Sequence, residues 1–246
     1  MTIQPCVEKE FKNVEQFIHD YPVNIKNPSF GNVPLLLGYT SHETLETYGA
    51  MTAEVFETVN VIYNYLEQYL NFNNEDLIEM EALVRHFYIG DEPISEKVKE
   101  GLVGFNADFY FIYPTVRAIQ KYLNNGARNI YHYVFFYDGE SNFMKDRFNV
   151  TDPGAAHADE LGYLFNMAEI GEPTPEDQLI INRMTTLWAN FAKFGNPTPE
   201  TNELIPVQWP AVTPDAQYYL SIDSELKIGK RNYFSRMTPG SKFNFG

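Results

Sequence analysis

The apolar positions of this chain follow two patterns, and the first of them predicts strands. The run at 33–39 is almost continuously apolar, the run at 128–137 is mostly aromatic or β-branched, and both are bounded by turn residues. The first run is typical of a buried parallel strand, in which Pro34 is tolerated only at the start because proline cannot donate to the ladder. The second run is rich in β-branched and aromatic residues and predicts the strongest strand of the chain.

The second pattern is a three- and four-residue spacing of apolar positions, which predicts amphipathic helices. Thr174 followed by Pro175 and two acidic residues marks a helix start, because threonine caps the first turn and proline is tolerated there. We expect the apolar stripes to pack in a core and not to form a cofactor site. The predicted helices cover 52–70, 75–88, 95–104, 108–124 and 175–194, with a shorter one at 15–20.

One histidine stands in a stretch suited to chemistry. The small residues 154–156 precede His157 and allow other groups to approach it closely. Asp159 and Glu160 then favour the start of a helix, which apolar residues at 161–165 anchor in a core. A loop ahead of an anchored helix suits a general base, since the ring is both held and accessible. The spacing alone favours an ordinary loop histidine, because most histidines are not catalytic.

One carboxylate follows the first predicted strand. Glu43 comes just after the run at 33–39, and the C-terminal ends of buried parallel strands are where α/β folds keep their functional groups. The alternative is a first-turn acid that stabilises the N-terminus of the next helix. Taken by itself, the local pattern favours that alternative.

Composition narrows the classes of protein and of site. The 246 residues are 44% hydrophobic, which suffices for a well-buried core. With 33 acidic and 18 basic residues the net charge is −15, so we expect no binding to nucleic acid. A single cysteine, Cys6, rules out an internal disulfide and zinc sites built on cysteine pairs. We therefore expect no metal and no cofactor.

The chain carries no recognisable targeting or membrane segment. Residues 1–8 lack the basic and apolar regions of a signal peptide, and no apolar run reaches the roughly 18 residues of a membrane span. Together with the single cysteine, this slightly favours an intracellular protein, although the localisation stays open. The oligomeric state is equally undetermined by the sequence.

Three separated segments resemble the type-B carboxylesterase and cholinesterase family, and most of all its insect α-esterase branch. Residues 157–165 (HADELGYLF) resemble the catalytic-histidine segment, and residues 187–197 (LWANFAKFGNP) resemble a helix that covers the sheet. The third segment runs from Gly38 to Glu43, which are spaced like the family's glycine and triad acid. Trp209-Pro210 and Tyr218–Ile222 resemble the closing turn and last short strand.

The resemblance implies an α/β fold, namely the C-terminal portion of an α/β-hydrolase with mostly parallel strands flanked by many helices. Residues 1–246 would form a single partial domain, the C-terminal half of that fold. It also implies that His157 is the base of a catalytic triad and Glu43 its acid, with the neighbouring His42 a spectator. Thr44 stands where many relatives have glycine, which could crowd the turn that carries Glu43.

The third triad member has no candidate in this sequence. A nucleophile elbow needs G-x-S-x-G, and the one near match, Gly139 to Phe143, ends in a bulky residue and follows the acid, so Ser141 is rejected. The family's glycine-rich oxyanion loop is absent too. We therefore expect that the 246 residues are part of a longer product or come from a truncated gene, and that they have no meaningful esterase turnover alone.

Two hypotheses of function follow. The first is a carboxylic-ester hydrolase with an acyl-enzyme mechanism, to which this segment contributes the histidine and the glutamate; its substrates would be uncharged carboxylic esters. The second is a non-catalytic, esterase-like protein that binds or sequesters ligands or mediates adhesion. Retention of both His157 and Glu43 favours the first.

Overall fold

A computed structural model of the chain describes residues 6–21, 24, 33–49, 51–58 and 60–231. Its central feature is a four-stranded sheet in the order β1-β2-β3-β4. The first three strands are parallel and the last is antiparallel to its neighbour. The strands are β1 (Leu35–Thr40), β2 (Ile130–Phe135), β3 (Gln217–Ile222) and β4 (Leu226–Arg231).

Strand β2 is the centre of the sheet, and every one of its residues is buried. It pairs with β1 in a register that sets Gly38 opposite Tyr133 and Thr40 opposite Phe135. Gly38 is required there, because a Cβ at this position would lie 2.4 Å from the Tyr133 carbonyl oxygen. The register brings the C-terminal ends of β1 and β2 to the same edge of the sheet.

The connection from β1 to β2 is a helical excursion with its own core. The residues of that core are almost fully buried, and they include Leu45, Phe56, Ile62 and Leu102. The helices are α1 (Leu45–Gly49), α2 (Ala53–Thr58), α3 (Val61–Tyr69), α4 (Asn74–Ile89), a 3-10 turn (Glu96–Val98), α5 (Lys99–Ala107), a π-helical turn (Asp108–Ile112) and α6 (Tyr113–Asn124).

The connection from β2 to β3 holds the histidine segment and the covering helix. It consists of α7 (Phe143–Phe148), a 3-10 turn (Asp159–Tyr163) and α8 (Pro175–Phe194). Helix α8 places Ile180, Met184 and Leu187 in one buried cluster with Trp209 and residues of β2 and β3. The predicted packing of residues 187–197 against the sheet is confirmed.

The fold class predicted from the sequence is confirmed, and several local predictions are wrong. The helix predicted at 15–20 is absent, because backbone and side-chain groups of 16–18 bond to Glu8. The helix predicted at 52–70 is two helices, since Asn60 caps the second with its side chain. The helix expected to begin at Asp159 is only a short 3-10 turn. Strand β4 was not predicted at all.

Candidate active site

Glu43 lies at the C-terminal edge of the sheet. Strand β1 ends at Thr40, a four-residue turn follows, and helix α1 begins at Leu45. One carboxylate oxygen of Glu43, Oε1, accepts a hydrogen bond from the Thr40 backbone N–H at 2.8 Å. The side chain is 4% exposed, so the carboxylate is held by the turn and shielded from water.

The other Glu43 oxygen contacts the predicted histidine. Oε2 of Glu43 lies 2.6 Å from Nδ1 of His157, across 114 positions of sequence. The His157 side chain is 47% exposed, and its Nε2 has no hydrogen-bond partner within the described part of the chain. The structure thus brings the two predicted site residues together, with one ring nitrogen engaged and the other available.

Backbone contacts join the two segments. Ser41 donates from its N–H to the Phe135 carbonyl at the end of β2, and its hydroxyl accepts from the Ala155 N–H at 3.1 Å. His42 donates its N–H to the Ala155 carbonyl at 2.9 Å. Gly154 has φ +110°, and a Cβ there would lie 2.3 Å from the His42 ring. The small size of Gly154 therefore admits the His42 ring, which is a different contact from the approach to His157 that the sequence predicted.

The electrostatic environment of His157 favours the imidazolium. The hydrogen bond to Glu43 raises the pKa of His157, burial opposes that rise, and the negative charges of Glu43, Glu46 and Glu160 add to it. The pKa of the Glu46 carboxyl is also raised, here because the side chain is buried. The hydrogen bond from the His157 backbone amide partly opposes this rise. An imidazole held by a buried carboxylate in this way can take up a proton at Nε2 and keep it.

Comparisons with known proteins show the family of the chain. The Carboxylesterase family is matched over residues 1–238. The chain belongs to the Carboxylesterase family. It is 30% identical to juvenile hormone esterase of Heliothis virescens over 96% of the chain and 42% of that protein. It is 28% identical to esterase E4 of Myzus persicae over 80% of the chain and 38% of that protein.

A solved structure shows the same fold. Juvenile hormone esterase from Manduca sexta, with OTFP covalently attached, aligns with a TM-score of 0.71 at 21% sequence identity. The alignment covers 94% of this chain and 44% of the other. The chain therefore spans about two fifths of the length of the family members it matches. Insect esterases are prominent among these proteins, as residues 157–165 predicted.

The sequence patterns did not identify the other residues that lie around the Glu43–His157 pair. The Phe111 ring packs against the buried cluster that contains Ile112 and Val134, as its apolar helix position predicts, and it also lies 5.0 Å from the His157 ring. Tyr133 donates its hydroxyl to Glu160 at 3.2 Å, and burial raises the pKa of that glutamate. Glu46 is three positions beyond Glu43, and this single-turn spacing is the one signal by which it could have been found.

The remaining polar residues singled out in the sequence lie outside the pair. Ser141 is buried, and its hydroxyl donates to Asp177 at 3.1 Å. His42 contacts Glu100 and Ser41 through its ring and takes no part in the contact between Glu43 and His157. Thr44 is buried against the Val103 carbonyl, and the pair forms despite its bulk.

Metal-binding and membrane-spanning features are absent from the residues that the structure describes. These residues contain no group of three or more histidine, cysteine or acidic side chains placed to hold a metal ion. None of their helices combines the length and the hydropathy that a membrane span requires.

Proposed function

We propose that this chain supplies the base and the acid of the catalytic triad of a carboxylic-ester hydrolase. The observation that carries the proposal is the 2.6 Å contact between His157 Nδ1 and the buried Glu43 carboxylate at the C-terminal edge of the parallel sheet. Membership of the Carboxylesterase family and the similarity to two insect esterases support it.

In the proposed reaction His157 works through Nε2. A serine on a segment outside these 246 residues attacks the ester carbonyl, and Nε2 takes up the serine proton. The imidazolium then gives that proton to the leaving alcohol, and His157 activates a water molecule that hydrolyses the acyl-enzyme. Glu43 fixes the ring through Nδ1 and balances the positive charge. The substrates we propose are uncharged carboxylic esters.

The proposal includes the inactivity of the isolated chain, since the sequence contains no G-x-S-x-G and Ser141 is engaged by Asp177. Hydrolysis of a simple aryl ester by the isolated chain tests this point. We expect no difference from the H157A variant. Turnover that survives Ser141→Ala and is lost in H157A would contradict it.

The role of the pair is tested in an active assembly of this chain with a segment that carries the serine. There, His157→Gln is expected to lower kcat by about 10⁴-fold or more, and Glu43→Gln by about 10⁴-fold. Thr185→Ala, an exposed position on α8, serves as the control and should retain full activity. A coding sequence in which the G-x-S-x-G segment is replaced would instead support a binding protein.

A further inference from the structure

The loop that carries His157 is held by side-chain oxygens. The backbone N–H groups of residues 154–156 each donate to a side chain, at distances of 2.9, 3.1 and 2.6 Å in chain order. The acceptors are Asp138, Ser41 and Asp159. The shortest of these bonds ends on Asp159, only two positions beyond His157.

Asp159 is fully buried and joins the loop to helix α7. Its oxygens accept four hydrogen bonds: from Ala156 N–H at 2.6 Å, Met144 N–H at 2.8 Å, Lys145 N–H at 3.0 Å and Asn142 Nδ2 at 3.0 Å. Helix α7 has no capping bond from its own N-cap side chain. Asp159 therefore caps this helix from another part of the chain, and the helix fixes the position of Asp159.

Asn142 is itself held in place. Its Oδ1 accepts from the Tyr163 hydroxyl at 2.7 Å and from the Gly139 N–H at 3.2 Å. Both Asn142 and Tyr163 are buried. The contacts of Asp159 are thus part of a rigid, water-excluded network, in which each member has little freedom to shift.

The backbone between His157 and Asp159 is strained. Ala158 has φ 63° and ψ 14°, in the left-handed region that residues with a Cβ rarely adopt. Such a conformation persists only where the surroundings impose it. Asp159 provides the nearest restraint, because it binds Ala156 on the other side of His157.

We propose that Asp159 is a positioning residue that keeps Nδ1 of His157 within hydrogen-bonding distance of Glu43. It acts through the backbone of residues 156–158. The charges that act on the His157 ring are those of Glu43, Glu46 and Glu160, so loss of the Asp159 charge is not expected to affect the ring directly. The importance of this positioning for catalysis rests on the proposed function.

The test is an NMR titration of the His157 imidazole in the full 246-residue chain, with His157→Gln used to assign its signal. Asp159→Asn keeps the size of the side chain but turns an amide group toward backbone donors. We expect its His157 pKa to fall from the wild-type value toward that of Glu43→Gln. Asp146→Asn, an exposed position on α7, is the matched control and should titrate like wild type.

Far-UV circular dichroism establishes which variants are folded. Should D159N fail to fold, Asn142→Ala replaces it, because it removes one direct partner of Asp159 and is expected to shift the titration in the same direction. A folded variant that titrates like wild type would overturn the inference. The titration does not depend on ester hydrolysis. If the assembly of this chain with a serine-bearing segment were inactive, the proposed function would be contradicted, but the positioning role of Asp159 would still be decided by the titration.

Discussion

His157 is the residue whose surroundings bear most directly on the proposed chemistry. A buried carboxylate binds Nδ1, two further glutamates contribute negative charge, and Phe111 lies beside the ring. Each of these groups except Phe111 favours the protonated ring. The half-exposed ring still exchanges protons with solvent, so its ionisation is open to experiment.

The raised pKa of His157 predicts how stability depends on pH. The folded state binds this proton more tightly than the unfolded chain, so the contribution is complete below the ordinary pKa of about 6.5 and is lost as pH rises through the higher folded value. Urea unfolding of the wild type and of H157Q across this window measures the effect. The difference between them should shrink with rising pH, and a growing difference would refute the assignment.

The same shift predicts a change in the pH profile of catalysis. A general base works only when it is unprotonated, so activity of an assembled enzyme should rise at a higher pH than an ordinary imidazole would give. Glu43→Gln should move that rise to lower pH, because the main cause of the raised His157 pKa is gone. It should also lower the maximal activity. A rise at unchanged pH in this variant would argue against the pair.

The strain at Ala158 predicts a stabilising substitution. Glycine adopts φ near +63° without the steric cost of a Cβ, which is about 1–2 kcal/mol, although it loses about 0.5–1 kcal/mol in chain entropy. Ala158→Gly should therefore raise the free energy of unfolding by about 0.5–1 kcal/mol. The same substitution at Ala189, exposed within α8, should lower it by about 1 kcal/mol. Urea titration measures both.

Among the elements, helix α8 shows how local signals produce a stable structure. Thr174 accepts from the Asp177 N–H at 3.1 Å, Pro175 opens the first turn, and Gly195 closes the helix in the left-handed conformation. Its buried face then packs on the sheet beneath the histidine segment. The local signals define the ends of the helix, and the packing provides most of its stability.

Loss of the cap should weaken this helix. Thr174→Ala leaves the Asp177 N–H without its acceptor and is expected to lower the free energy of unfolding by about 1 kcal/mol. Thr185→Ala, on the exposed face of the same helix, loses only hydrogen bonds to carbonyls of the preceding turn and should change it by less than about 0.5 kcal/mol. Chemical denaturation compares the two. Equal effects would mean that the cap is not a major source of stability.

In the molecule as a whole, the pair exists because two crossover connections begin at the same edge of the sheet. Glu43 follows β1 and His157 lies in the connection that follows β2. Parallel pairing of these two strands places the start of both connections at the same edge, and hydrogen bonds of Ser41 and His42 with Ala155 join them. Any change in the pairing of β1 with β2 should therefore alter the geometry of the contact between Glu43 and His157.

Gly38→Ala tests this dependence. Its Cβ would approach the Tyr133 backbone carbonyl to 2.4 Å, so the strands must separate, at a cost of about 1–3 kcal/mol in the free energy of unfolding. We also expect a lower His157 pKa, since Glu43 moves with β1. Gly171→Ala meets no atom within 4 Å and should leave both quantities unchanged. Normal stability in G38A would show that the sheet adjusts freely.

Elements whose signals are local could be predicted from the amino-acid sequence. Strands β1 and β2, the caps of α8 and the segment resemblance that identified His157 and Glu43 all depend on neighbouring residues. Strand β4 has no such local signal, since Leu226–Arg231 carries mostly polar side chains and forms by pairing with β3. The break at Asn60 was not predicted either, because a continuous apolar pattern hides a competing side-chain cap.

The way in which the site is held depends on contacts between distant parts of the chain. The contact between His157 and Glu43 and the position of Phe111 beside it depend on separate segments of the chain. Three of the four hydrogen bonds to Asp159 likewise come from the segment 142–145. Asp159 resembles a simple first-turn acid in the sequence, yet it caps a different helix. The physical reason is that hydrogen bonds and packing between segments depend on the register of the sheet, which no single segment specifies.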